Sequence, residues 1–199
     1  LRGQNNVQGA CDMGALPGDF PGYQKVANPE VLAKFENAWG IKLNPKPGIK
    51  ATEVFPAAIK GDIKGLYIFG EDPVVTDADT NHIIKALESL DFLVMNELFM
   101  TETAQYADVI LPGVSYAEKE GTFSNTERRV QRVRKAVELE GEMRLDTDIF
   151  TDIMNRMGYP QPHLTSAEIM DEIASVTPSF AGISHERLDK EGGIQWPCT

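Results

Sequence analysis

The apolar positions of this chain change rhythm twice, and each change marks a different kind of structure. Residues 1–24 carry no helical or strand period and are rich in Gly, Asn, Gln, Asp and Pro, which predicts a long extended loop. A loop of that length in a compact chain is usually functional or covered by a partner. From Pro29 to Trp39 the period becomes helical, with Val31, Leu32, Phe35 and Trp39 on one face and Gly40 as the stop. A second helix is predicted from Thr52 to about Lys60, after a Pro-rich turn at 44–47 and before Gly61. Then come short runs that are apolar throughout: Leu66–Phe69, Phe92–Met95 and Asp108–Leu111, the last ended by Pro112. Between the first two, Asp79 or Thr80 can cap a helix from His82 to Leu90 whose face is Ile83, Ile84, Leu87 and Leu90. Uniformly apolar strands separated by helices predict an α/β fold with a parallel sheet flanked by helices.

Beyond the sheet the pattern is less uniform. Residues 121–137 alternate and are dense in Arg, so strand and helix are both open, with extended structure favoured up to about Arg132. Two helices follow, from about Thr147 to Met157 and from Ser166 to Val176, with Thr147 and Ser166 as expected caps. The tail from Gly192 to Thr199 reads as irregular.

Composition narrows the function classes. The 199 residues include 19 Lys+Arg and 30 Asp+Glu, a formal net charge of −11, which argues against generic nucleic-acid binding because that needs a basic stripe. No apolar run approaches the roughly 18 residues of a membrane span, so no membrane contact is expected. Cys11 and Cys198 are the only cysteines, with no C-x-x-C and no paired Cys/His spacing, which argues against zinc or iron–sulfur ligation within the chain. His82, His163 and His185 lie in no ligand spacing and read as surface or satisfied histidines. G-x-S-x-G, Walker and G-x-G-x-x-G motifs are lacking, so no self-contained catalytic set is expected. A start at Leu1, inside a polar motif, reads as a cut within a longer reading frame.

Candidate chemistry gathers at strand ends. Gly70-Glu71-Asp72-Pro73-Val74-Val75-Thr76-Asp77 follows the first strand, where glycine admits a ligand to the backbone and carboxylates can accept from a guanine edge or ribose hydroxyls. A plain acidic turn would look the same. Asn96-Glu97 ends the second strand, and an acidic group there matches the ribose-reading position of dinucleotide folds. Together the two strand ends suggest a purine nucleotide. Six cations stand between Lys119 and Lys135 (Lys119, Arg128, Arg129, Arg132, Arg134 and Lys135). They suit a phosphate or pyrophosphate, or equally a solvated face paired with Glu138, Glu140 and Glu142. An Arg in the glycine-rich opening segment could hold a small carboxylate by a bidentate contact.

Five blocks in order carry a resemblance: RGQNNVQGACDMGALP at Arg2, GEDP at Gly70, TETAQYADVILP at Thr101, EKEGTFSNTERRVQ at Glu118 and IQWPC at Ile194. From Leu1 to about Thr199 the chain resembles the central part of the catalytic alpha subunit of molybdenum- or tungsten-dependent formate dehydrogenases, in the molybdopterin oxidoreductase family. RGQNNVQGACDMG is its most specific element; ADVILP and EKEGTFSNTERR are shared across the wider family, nitrate reductases included. The resemblance implies a molybdopterin guanine dinucleotide with Mo or W, held partly by this segment. Asp72, Thr76, Asn96, Glu97, Lys119 and Asp146 would then contact nucleotide or pterin, with Gln4 near the pterin. Arg2 would be the catalytic residue that orients formate. By this resemblance residues 1–60 are a cofactor-facing loop with two helices, 61–146 the guanine-dinucleotide-binding domain and 147–199 a helical segment. The whole would be a fragment, inactive alone, with formate, the rest of the alpha subunit and electron-transfer subunits as partners and the cytoplasm as default compartment. A 4Fe-4S cluster and the metal-ligating Cys or selenocysteine would lie in the parts that flank this segment in the family. Asn96-Glu97 also stands where those formate dehydrogenases have Gln-Asp.

Overall fold

A computed structural model describes residues 3–199, and every structural statement here concerns those residues. In chain order the elements are α1 (Val7–Asp12), β1 (Asp19–Phe20), β2 (Gln24–Lys25), α2 (Pro29–Trp39), α3 (Ala51–Ile59), β3 (Gly65–Phe69), α4 (Pro73–Thr76) and α5 (Thr80–Glu88). Then follow β4 (Phe92–Glu97), β5 (Val109–Pro112), β6 (Gly121–Ser124), β7 (Arg129–Val133), α6 (Asp146–Arg156), α7 (Ser166–Val176), α8 (His185–Glu191) and β8 (Ile194–Gln195). The chain divides into two compact units. One comprises Ile49–Lys119 with Ala136–His163; the other comprises the residues up to Gly48, Glu120–Lys135 and Leu164–Thr199.

The first of these is the expected α/β unit. β3, β4 and β5 form a parallel sheet in that order, with Ile68 opposite Met95 and Asn96 opposite Leu111. On one face Ile68, Leu93 and Met95 pack with Val74, Ile83, Leu87 and Ala104, supported by Phe55 of α3 and Ile84 of α5. On the opposite face Phe150 of α6 sets its ring against Tyr67 and Phe69, at centroid distances of 5.7 and 5.5 Å. Both faces are covered, which is why these strands are apolar throughout. Asp108 locks the β5 entrance, its carboxylate accepting from the Leu93 amide at 2.7 Å while its own amide donates to the Leu93 carbonyl.

The second unit centres on an antiparallel sheet of β6, β7 and β8. Val130, Met170, Phe180, Ile183, Leu188, Ile194 and Cys198 make its core. α2 adds a ring cluster in which Phe35 stacks on Phe20 at 4.3 Å and meets Trp39 at 4.9 Å. Thr165 caps α7 by a capping box with Glu168.

Several sequence expectations need correction. The opening segment is not an unbroken loop: it contains α1 and the β1–β2 pair, which no periodicity announced because they are short and held by side chains from distant segments. The tail is not wholly irregular, since Ile194 and Gln195 pair with Val130 and Arg129. The α7 cap is Thr165, one residue before the expected Ser166, and α6 begins at Asp146 without a side-chain cap.

Candidate functional site

The carboxyl ends of β3, β4 and β5 bring most of the expected site residues into one region of the α/β unit. In parallel sheets this edge is where ligands bind, because strand ends and helix N-termini open there together. After β3, Gly70 takes a positive φ of 61° and its amide donates to the Asn96 carbonyl at 2.9 Å. Asp72 then anchors α4: its Oδ1 accepts from the Thr103 amide at 3.0 Å and from the Thr103 hydroxyl at 2.5 Å. Thr103 Oγ1 in turn accepts from the Val74 amide. Thr76 is exposed on the last turn of α4, its hydroxyl within 3.2 Å of Glu71 Oε1.

The end of β4 divides between an inward and an outward group. Asn96 is 1 % exposed, with its Oδ1 accepting from the Tyr67 hydroxyl at 3.1 Å and its Nδ2 donating to the Leu111 carbonyl at 3.3 Å. Glu97 is half-buried, its Oε1 accepting from the Leu98 amide at 2.7 Å. Leu98, Phe99 and Met100 follow as exposed apolar side chains.

Lys119 and Asp146 pair directly through Nζ and Oδ2. Their link to the sheet runs through Gly113, just beyond β5. A Cβ at that glycine would come within 2.5 Å of Asn96 Nδ2 and 2.9 Å of Asp146 Oδ1, so the three residues converge on a point only glycine can occupy. The Tyr67 phenol has its pKa raised, chiefly by burial and further by the Asp146 charge. Tyr67 and Gly113 therefore brace the candidate residues and escaped the sequence reading, as did the reach of Thr103 to Asp72. Only the position of Gly113, right after a strand-ending proline, could have drawn attention to it. Beside this edge lies a cavity of about 300 Å³ lined by Leu111, Pro112, Ile149 and Ile153, with Arg144, Asp152 and Arg156 at its polar side.

Other expected residues lie in the second unit. Gln4 is exposed ahead of α1, and Arg2 falls outside the described residues. The cation run is drawn onto carboxylates: Arg128 to Asp12, and both Arg132 and Arg134 to Asp189. Neither the expected glutamates nor a phosphate is needed to place those three arginines. Among the described residues no group of three or more His, Cys, Asp or Glu could hold a metal, and no helix is long and apolar enough to cross a membrane.

Comparison with known proteins places the chain in a family. The sequence pattern described as molybdopterin oxidoreductase matches residues 2–156. The chain belongs to the molybdopterin oxidoreductase family. Membership implies a molybdopterin cofactor carrying Mo or W. The F420-dependent formate dehydrogenase 2 subunit alpha of Methanococcus maripaludis is 52% identical over 201 residues, covering 100% of this chain and 29% of that subunit. The F420-dependent formate dehydrogenase subunit alpha of Methanocaldococcus jannaschii is 52% identical over 200 residues, again 100% of this chain and 29% of its own length. A relative from Staphylococcus haemolyticus is 50% identical over 197 residues, 99% of this chain and 20% of its own. The chain thus spans less than a third of the relatives it matches. Acetylene hydratase from Pelobacter acetylenicus has the same fold, with a TM-score of 0.61 at 22% identity over 83% of this chain and 24% of that one.

The strand-end residues suit such a group chemically. Carboxylate and hydroxyl oxygens at Glu71 and Thr76, both exposed, and at half-buried Glu97 can accept hydrogen bonds from a bound group. The Lys119 ammonium, a third exposed, can serve a phosphate if its pairing with Asp146 loosens.

Proposed function

We propose that this chain is a segment of a formate dehydrogenase alpha subunit whose α/β unit holds one molybdopterin guanine dinucleotide. The supporting observation is the identity of about half to formate dehydrogenase alpha subunits across the whole chain, together with acceptor groups gathered at the carboxyl edge of a parallel sheet. Asp72, Thr76 and Glu97 take the nucleotide, Asp72 partly by fixing α4 through Thr103. Asn96, fully buried, acts from behind by bracing Tyr67 and β5. Lys119 and Asp146 act as a pair at the phosphate or pterin side, and Gln4 lies near the pterin.

In the complete subunit Arg2 orients the formate carboxylate by a bidentate contact and steadies the charge that shifts as carbon dioxide forms. The bound metal centre supplies the acceptor for the two electrons released when formate becomes carbon dioxide and a proton. 4Fe-4S clusters outside this segment would carry those electrons onward to electron-transfer subunits. The isolated segment is inactive, since it matches only 29% of the length of each related alpha subunit.

The test uses the full-length subunit. Acid release of the cofactor should yield a guanine nucleotide together with Mo or W, and Arg2→Ala should lower formate kcat/KM about a hundredfold or more, the scale of losing one charged donor to the reacting group. Unchanged formate kinetics in Arg2→Ala would remove the substrate assignment and leave the cofactor standing. Absence of nucleotide and metal would remove both.

A further inference from the structure

In the second unit, a buried carboxylate ties the opening segment to the β6–β7 hairpin. Asp12 is 1 % exposed and its Oδ1 accepts from Gln8 Nε2 at 2.8 Å, from the Tyr23 hydroxyl at 2.8 Å and from Arg128 Nη2 at 2.9 Å. Gln8 also donates to the Tyr23 oxygen at 3.1 Å. The Arg128 guanidinium lies 3.4 Å from the centre of the Trp196 ring and 5.5 Å from that of Tyr23, so it is clamped between two aromatic side chains. A second tie runs alongside, with Asn6 Oδ1 accepting from the Ser124 amide at 3.0 Å. Gly9 leaves room for it: a Cβ there would overlap Asn6 Oδ1.

The backbone points to the same residues. Among the described residues, three that are not glycine have positive φ: Asn6 at 56°, Tyr23 at 59° and Arg128 at 65°. Tyr23 and Arg128 send their side chains onto Asp12, and Asn6 makes the second tie to Ser124. Left-handed backbone is uncommon away from glycine and persists where the surroundings over-determine it, often at functional positions. Glycine would adopt each conformation freely, so what those positions require is the side chain. The cluster adjoins the hydrophobic core of the unit, against which Met13 and Trp196 also pack. These contacts staple α1 and the residues just ahead of it, where Gln4 sits, to the β6–β7 hairpin.

We propose that Asp12, with Asn6, Tyr23 and Arg128, positions the segment from Gly3 to Gly14, and thereby holds Gln4 in place for the pterin. This rests on the formate dehydrogenase reading. Asp12 and Arg128 are positioning residues: they touch each other and α1, and act through the segment they hold.

The experiment uses the full-length, cofactor-loaded subunit carrying Asp12→Asn, with Tyr23→Phe as a milder variant that removes one hydrogen bond and keeps the ring. Hydrogen exchange of residues 3–14 should quicken about tenfold in Asp12→Asn and less in Tyr23→Phe. KM for formate should rise in the same order, about tenfold for Asp12→Asn, with released nucleotide and metal content unchanged. Arg128→Met added to Asp12→Asn should cost little more, because the two act as a unit. Exchange equal to wild type in both variants would overturn the staple. Faster exchange with formate kcat and KM within twofold of wild type would overturn its positioning role. A wild-type subunit that turns over no formate would sink the formate reading alone, with the exchange comparison still deciding the staple.

Discussion

Gly113 is the residue on which the strand-end site turns. A methyl group there meets Asn96 and Asp146 at once, and neither can withdraw freely, since Asn96 is pinned by Tyr67 and Leu111 and Asp146 by Lys119. Gly113→Ala should cost about 1–3 kcal/mol, the range for overpacking a filled site, read as a lower urea midpoint. It should also weaken nucleotide retention in the full subunit; a variant with unchanged midpoint would show that the convergence is slack. At this scale the sequence was legible for position along the strands: Asp72 follows β3 and Glu97 ends β4. It was not legible for Asp12 and Arg128, which lie 116 positions apart and meet only through the fold.

Among the elements, those with a period of their own were readable. α2 and β3 to β5 lie within two residues of their expected bounds, because amphipathic spacing and uniformly apolar strands follow from burial on one or both faces. α1 and β8 were invisible because each is short and depends on partners far along the chain. Thr165 illustrates local control: its hydroxyl and amide both engage Glu168, so Thr165→Ala should cost about 1 kcal/mol, measurable as a shift in melting temperature. Near the α8 start, His185 has its pKa lowered, first by burial and then by Arg132, against the opposite pull of Asp189, Glu120 and Asp171. The folded pKa therefore lies below the unfolded value of about 6.5. On acidification the unfolded chain takes up that proton first, so this contribution is complete above roughly pH 6.5 and is lost as pH falls toward the folded pKa. Urea midpoints at pH 7.5 and 5.5 should show a drop that His185→Gln reduces; an identical drop in the variant would assign the effect elsewhere.

For the whole molecule, each unit has a core of its own, and the two should respond separately to truncation. Leu93→Ala in the parallel sheet and Phe180→Ala beneath the antiparallel one each remove a side chain 1 % exposed, and should cost about 2–5 and 3–5 kcal/mol. Site-resolved hydrogen exchange should place most of each loss in the unit that carries the change.

The way the second unit is gathered from three stretches, ending with residues 164–199, has a consequence for birth on the ribosome. The parallel sheet lies within residues 65–112 and can close soon after it leaves the exit tunnel. Phe35 and its neighbours must wait more than a hundred residues for the α7 segment they pack beside, through a loop closure whose entropy grows only slowly with length but whose partner does not yet exist. During that wait the segment up to Gly48 lacks the partner it packs beside, and it is there that chaperone contact and premature proteolysis should concentrate.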